Sequence, residues 1–208
     1  GSGRAAGRGR ARRGRHIYLY CRAAAREIQP GILREVLGVA RFQEIVALCP
    51  PGTQNLIRRT LIAVEWVALD QWAPFMQTIF EYICRKDEHQ FRRLMRAVCK
   101  RDFSTLYRSY IAQSSPQAVL EKSSTIWSSY FDSGSLTLAP ESAEHDPPQP
   151  VLQMRGLETE FTVYAMTMHA YLEQLMIMTG AQRCTIRRAR ERLDDGKLSC
   201  DYIINLGT

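Results

Sequence analysis

The sequence predicts an α+β protein: a helical N-terminal part packed on a C-terminal four-stranded antiparallel sheet, with one long helix crossing it. Two observations carry this. Apolar residues recur at three and four over roughly the first 130 residues and at two after Gly134, and one long helical stretch separates the two pairs of alternating segments. A chain of 208 residues suits one domain with a full core. The expected division is a disordered basic tail, 1–16, and one domain, 17–208, helical over 17–133 and strand-rich over 134–208.

Residues 17–29, IYLYCRAAAREIQ, read as a strand entering a helix or as helix throughout, with Pro30-Gly31 as punctuation. Leu33, Val36, Leu37, Ala40, Ile45 and Leu48 then predict one amphipathic helix over 32–49, stopped by Pro50-Pro51-Gly52. Thr53 is a candidate cap for a short helix, TQNLIRRTLI, and VEWVALDQ has no clear period. Trp72-Ala73-Pro74-Phe75 opens the next helix, because a proline in the first turn lacks only an N–H that has no partner there. Its inner stripe is Phe75, Ile79, Phe80 and Ile83.

A helix from about His89 to Ala112 buries Phe91, Leu94, Met95, Val98, Leu106, Tyr107 and Tyr110, and turns Arg92, Arg93, Arg96, Lys100 and Arg101 to solvent. Ser115 caps a further helix with Pro116 at its first position. That helix carries Val119, Leu120, Ile126, Trp127, Tyr130 and Phe131, and Gly134 closes it.

Beyond Gly134, SLTLA and VLQMRG read as paired strands around an acidic, proline-rich loop, APESAEHDPPQP. Glu158 to Thr179 predicts the longest amphipathic helix, with Phe161, Tyr164, Ala165, Met168, Tyr171, Leu172, Leu175 and Met176 inward and Gly180 as its C-cap. AQRCTIRRARER and KLSCDYIINL are the last two strands, joined at Asp194-Asp195-Gly196. Leu198, Cys200 and Tyr202, or their neighbours, face the core, and Arg187, Arg188, Arg190 and Arg192 form a basic cluster on a solvated face.

The net charge of +7 belongs to the tail: six of the 28 basic residues (Arg4, Arg8, Arg10, Arg12, Arg13 and Arg15) lie in residues 1–16 without an acid. The remainder holds 22 basic against 21 acidic residues, so nucleic acid is an expected partner only through that tail. No apolar run is long enough to span a bilayer and no signal peptide is visible, which predicts a cytoplasmic protein. The six cysteines form no CxxC pair. Cys184 and Cys200 could face each other across the last hairpin and, with a third ligand, hold zinc; the plainer reading is two small residues packed inward.

No phosphate loop, nucleophile elbow or HExxH pattern occurs, and of the four histidines only His169 lies near an inner stripe, so no enzyme is expected. The aromatic residues are more telling. Trp72, Phe75, Tyr107, Tyr110, Trp127, Tyr130, Phe131, Tyr164 and Met168 fall on helices that must pack together. Read plainly, they are core. Read functionally, Trp72, Tyr107, Tyr110, Trp127, Tyr130, Tyr164 and Met168 line a pocket for a small apolar or amphiphilic ligand, because indole and phenol groups bring polar tips into an apolar enclosure.

Residues 101–138 also carry a pattern: Arg101-Asp102, Tyr107-Arg108, Ser115-Pro116, then Trp127, Tyr130-Phe131-Asp132 and Gly134. With Trp72-Ala73-Pro74 upstream and MRGLETEF and CDYIINL downstream, it resembles a family of uncharacterised bacterial proteins expanded in myxobacteria. That family is similar to the 4-vinyl reductase domain and, more distantly, to haem-nitric-oxide-binding domains and eukaryotic vesicle-tethering subunits. The resemblance implies helices packed on an antiparallel sheet with a crossing helix. It also implies binding of small aromatic, lipid or haem ligands, or assembly, without catalysis. The haem-binding relatives have a Tyr-x-Ser-x-Arg motif; here Tyr107 and Ser109 are followed by Ile111, so no haem is expected. The relatives with a zinc-linked hairpin have a cysteine where Arg192 stands, so no metal is expected either.

Two functions follow: a ligand-binding sensory module, or an adaptor that forms a homodimer or binds a partner without a ligand. A cavity of about 300 Å³ or more favours the first. A filled core with an exposed apolar helix face favours the second.

Overall fold

The computed structural model describes residues 20–22, 24–59, 66–105, 113–139 and 149–207. The tail, the segment holding Tyr107 and Tyr110, and most of the proline-rich loop lie outside the described residues. β1 (Tyr20–Arg22) pairs antiparallel with β2 (Trp66–Ala68), which gives the aperiodic VEWVALDQ segment its role. Between them lie α1 (Ala24–Leu37), α2 (Val39–Leu48) and α3 (Pro51–Arg58).

The helix expected over 32–49 is therefore two helices, and Pro30-Gly31 does not punctuate. A proline inside a helix removes one donor but leaves φ near its helical value, whereas Gly38, at φ 81°, takes the chain out of the helical region. In α3, Pro50 is the N-cap and Pro51 the first residue. Thr53 is not the cap: it is buried, and its hydroxyl donates to the Gln71 carbonyl at 2.7 Å. That bond ties α3 to α4 (Leu69–Thr78).

α4 begins three residues before Trp72, so Pro74 sits inside it, and the helix runs on into a π-helical turn, Ile79–Ile83. α5 (Glu88–Thr105) is capped by Asp87, whose carboxylate accepts from the Gln90 N–H at 3.1 Å. Phe91, Met95 and Val98 are buried as their spacing predicts. Arg92 departs from the predicted outer face, for it turns inward to Glu173 at 2.5 Å.

Ser115 does cap the next helix, accepting from the Ala118 N–H at 3.2 Å, with Pro116 first. A turn at Lys122 divides it into α6 (Pro116–Glu121) and α7 (Ser123–Tyr130). After α7 the Trp127 indole N–H donates to the Ser133 carbonyl at 2.9 Å. The chain then passes close against β4 (Val151–Glu158) at Gly134, where a Cβ would stand 2.8 Å from the Arg155 carbonyl oxygen.

The sheet has the order β3-β4-β6-β5, antiparallel throughout, with β3 at Ser135–Leu138, β5 at Arg183–Asp194 and β6 at Lys197–Gly207. Leu136 pairs with Met154, and Met154 with Cys200. Asp195 and Gly196 both have positive φ, as a two-residue turn matched to strand twist requires. Leu198, Cys200, Tyr202 and Ile204 point inward and are fully buried. Cys184 pairs with Leu206 rather than Cys200, so the two thiols do not face each other.

α8 (Val163–Met178) follows β4, which runs to Glu158. It is not amphipathic in the expected sense. His169, Glu173 and Gln174 are buried along with its apolar residues, because α5 packs on one side and the sheet on the other. Gly180, at φ 106°, ends it: the Ala181 N–H donates to the Met176 carbonyl and the Gly180 N–H to that of Ile177, a Schellman closure. The core is continuous from α2 through α4, α5 and α8 to β6.

Candidate functional site

A cavity of about 130 Å³ lies where α4, α6, α7 and α8 meet β3 and β4. Its wall is built by helical spacing. Tyr164, Met168, Tyr171 and Leu175 stand on one face of α8, at intervals of three and four, and Trp72 and Met76 do the same on α4. Trp127 and Phe131 reach it from α7 and the turn after it, stacked at 4.3 Å between ring centroids. Phe131 meets Tyr164 edge-on at 6.4 Å, a favoured contact between ring quadrupoles.

Three polar groups of this wall are engaged within the protein. The Tyr171 hydroxyl donates to the Asp102 carboxylate at 2.7 Å, and Asp102 is buried. The Thr167 hydroxyl donates to the Val163 carbonyl at 2.9 Å, and that of Ser123 to the Leu136 carbonyl at 3.4 Å. What faces the void is mostly carbon.

Of the candidates read from sequence, Trp72, Trp127, Tyr130, Tyr164 and Met168 all border this cavity. Tyr107 and Tyr110 fall outside the described residues. Phe75, in the wider aromatic set, is instead fully buried between Trp72 and Phe42. Sequence reading missed Met76, Phe103 and Leu152. Tyr171 and Leu175 were already visible on the inner stripe of α8. Leu152 could not be found, since which core residues border a void depends on how the layers meet.

A second polar group occupies the far side of α8. Glu173, nearly buried, pairs with Arg92 at 2.5 Å, and His169 Nε2 lies 3.3 Å from the same oxygen. Burial pushes the Glu173 carboxyl up, but the His169 and Arg92 contacts outweigh it and hold the group below its ordinary value. The thiols are of another kind. Burial pushes Cys84, Cys184 and Cys200 up to about 11, where a thiol is inert as a nucleophile.

No family model matches the chain, and no curated protein does. Solved structures match over most of their length. A doubly substituted H-NOX protein from Tt gives a TM-score of 0.62 at 12% identity, covering 88% of this chain and 93% of that one. An oxygen-binding H-NOX domain related to soluble guanylate cyclases, in its oxygen complex, gives 0.57 at 12%, covering 88% and 94%. An H-NOX structure that probes haem distortion gives 0.59 at 12%, covering 88% and 93%. This chain therefore has the H-NOX fold.

The wall does not fit a haem. A void of about 130 Å³ falls below even the lower end of ordinary ligand pockets, about 300 Å³, and a tetrapyrrole is larger than most of their occupants. Among the described residues that border it there is no histidine or cysteine to serve as axial ligand; His169 is engaged across α8.

Proposed function

We propose that this chain is a non-catalytic ligand-sensing module whose cavity takes one small, mostly apolar molecule about the size of a single aromatic ring. The observation that carries the reading is the ring-lined void itself. It is close in size to an engineered apolar cavity of about 150 Å³ that stays dry and binds benzene. It does not reach the 300 Å³ that would have favoured a ligand over an adaptor, so the reading is limited to a ligand of about one ring. The fold shared with H-NOX domains, and the resemblance to 4-vinyl reductase domains, support a sensory role for one unit spanning residues 17–208.

Binding would act through α8. This helix contributes the Tyr164–Leu175 wall, is tied to β6 where the Tyr202 hydroxyl donates to the Ala165 carbonyl at 3.2 Å, and is tied to α5 by Glu173. A ligand that filled the void would favour one packing of α8 over another by its difference in affinity for the two. Thermal shift against toluene, phenol, indole, a fatty acid and hemin tests this. Saturable stabilisation by a single-ring compound and none by hemin is the expected result. Stabilisation by none of them, with native mass spectrometry showing no bound molecule, refutes the reading.

A second reading has its own observation. Val36, Val39, Leu48 and Tyr82 are each more than half exposed, and all lie on α1, α2 and the π-helical turn. An adaptor that dimerises or docks a partner through this side would account for them. A dimer in native mass spectra that tyrosine-to-serine replacement at Tyr82 dissociates would favour it.

A further inference from the structure

The face of the sheet turned away from α8 carries a charge pattern that the cavity does not explain. Strand register places Arg183, Thr185, Arg187 and Arg192 of β5, Asn205 of β6 and Arg155 of β4 on it, because their partners alternate with the buried Cys200, Tyr202 and Ile204. The bulge between Ala189 and Arg192 adds Arg190, which has a φ of 51° and reaches Asp201 at 3.7 Å. Arg188 does not belong to this set: it points inward to Glu88 at 2.6 Å, which corrects the four-arginine cluster read from sequence.

Asp201 is the acid set among these arginines, buried and held by both Arg155 and Arg190. Glu158 and Asp194 lie at the turn end, where both pair in register with Lys197. Away from that end the face is positive, and Arg183, Arg187 and Arg192 are exposed.

We propose that this outward sheet face is a docking surface for an anionic phospholipid bilayer. The occupant follows from the chemistry. Among the described residues, the register puts no aromatic residue on the face to stack a nucleic-acid base. Arg183 and Arg187 are four residues apart along β5, about 13 Å, while the bulge breaks the spacing to Arg192. A polymer with a fixed phosphate repeat matches such an uneven array poorly. Headgroups that diffuse in a plane gather under each guanidinium wherever it lies. Between the arginines, Thr185, Asn205 and Gln153 offer neutral hydrogen-bonding groups suited to a wet headgroup layer, while Ile203 and Val151, in register with Arg187, are buried under their neighbours.

The test is co-sedimentation of the full chain with vesicles of phosphatidylcholine alone and of phosphatidylcholine mixed with phosphatidylserine. Binding is expected only to the mixed vesicles. Each surface arginine contributes about fivefold, so replacing Arg183, Arg187 and Arg192 together by Gln weakens binding roughly a hundredfold while the melting temperature stays put. Thr185→Glu with Asn205→Glu, which leaves every arginine in place, weakens it as well. A six-fold Arg→Gln variant of residues 1–16 lowers binding without removing its dependence on the sheet arginines.

Three results overturn the proposal. One is unchanged binding in the triple variant, and another is binding that depends on the tail alone. The third is tighter retention of single- or double-stranded DNA than of the mixed vesicles, lost in the same triple variant, which assigns the face to nucleic acid.

Discussion

Filling the void is the sharpest way to test whether it is real. Leu175 is the last residue of the α8 wall, one turn beyond Tyr171, and is buried. Empty core volume costs about 24 cal/mol per Å³, so a void of about 130 Å³ withholds at most about 3 kcal/mol from the fold, the upper bound for a sealed space. Leu175→Phe places a ring into part of that space, and recovering about half of the loss gives about 1–2 kcal/mol. For a chain of this length each kcal/mol moves the midpoint by about 2–4 °C, so the variant melts about 2–8 °C higher. Toluene, which at a hundredfold excess over its Kd stabilises the unaltered protein by about 2.7 kcal/mol, stabilises the variant far less. Urea unfolding with an unchanged m-value and thermal shift with and without toluene measure both quantities. If Leu175→Phe destabilises by the 1–3 kcal/mol usual for overpacking, the rings already interlock and the cavity argument fails.

Other substitutions probe the supports of the site. Asp102→Asn removes the charge from the bond made by the Tyr171 hydroxyl and costs about 1–2 kcal/mol in urea unfolding; no loss would show that this bond does not hold the wall. Gly134→Ala forces a Cβ to within 2.8 Å of backbone at positive φ, so it lowers the melting temperature by several degrees, where an equivalent change at the unobstructed Gly31 does not. Glu173 is held below its ordinary value when folded, so its stabilising effect is complete above the normal carboxylate range and is lost as pH falls through the folded value. Accordingly Glu173→Gln costs about 1–2 kcal/mol at pH 7, a modest loss because Arg92 is partly exposed, and the gap to the unaltered protein narrows as pH falls below the ordinary carboxylate range. A gap that stays constant down to acid pH would refute the ion pair.

Features written in local chemistry could be read before the structure. Ser115-Pro116, Gly180 and Asp194-Asp195-Gly196 each specify a cap or turn through a side-chain acceptor or a positive φ, and each falls where expected. The pairing of β3 with β4 followed from alternation alone. Breaks decided by longer-range packing were harder. Gly38 rather than Pro30 divides α1 from α2, and Lys122 interrupts a run whose period never falters. Arg92 and Arg188 read as outward because arginine usually is, yet each finds a carboxylate, Glu173 and Glu88, contributed by a different element. Aromatic residues on converging helices pointed toward the cavity, but its small volume is a property of how the layers close, which spacing does not encode.

α8 shows no solvent-facing stripe along most of its length, and that limits how it can move. Rotating it about its own axis would carry the Glu173 charge toward greasy surroundings and strip it of Arg92, so such a turn is forbidden energetically. What remains is a small slide or tilt as a rigid rod. A rod of this kind delivers displacement only at its tips. Were the chain to act as the proposed sensor, a displacement of this rod would emerge near Thr162 at one end, or at Ile177 and Gly180 at the other.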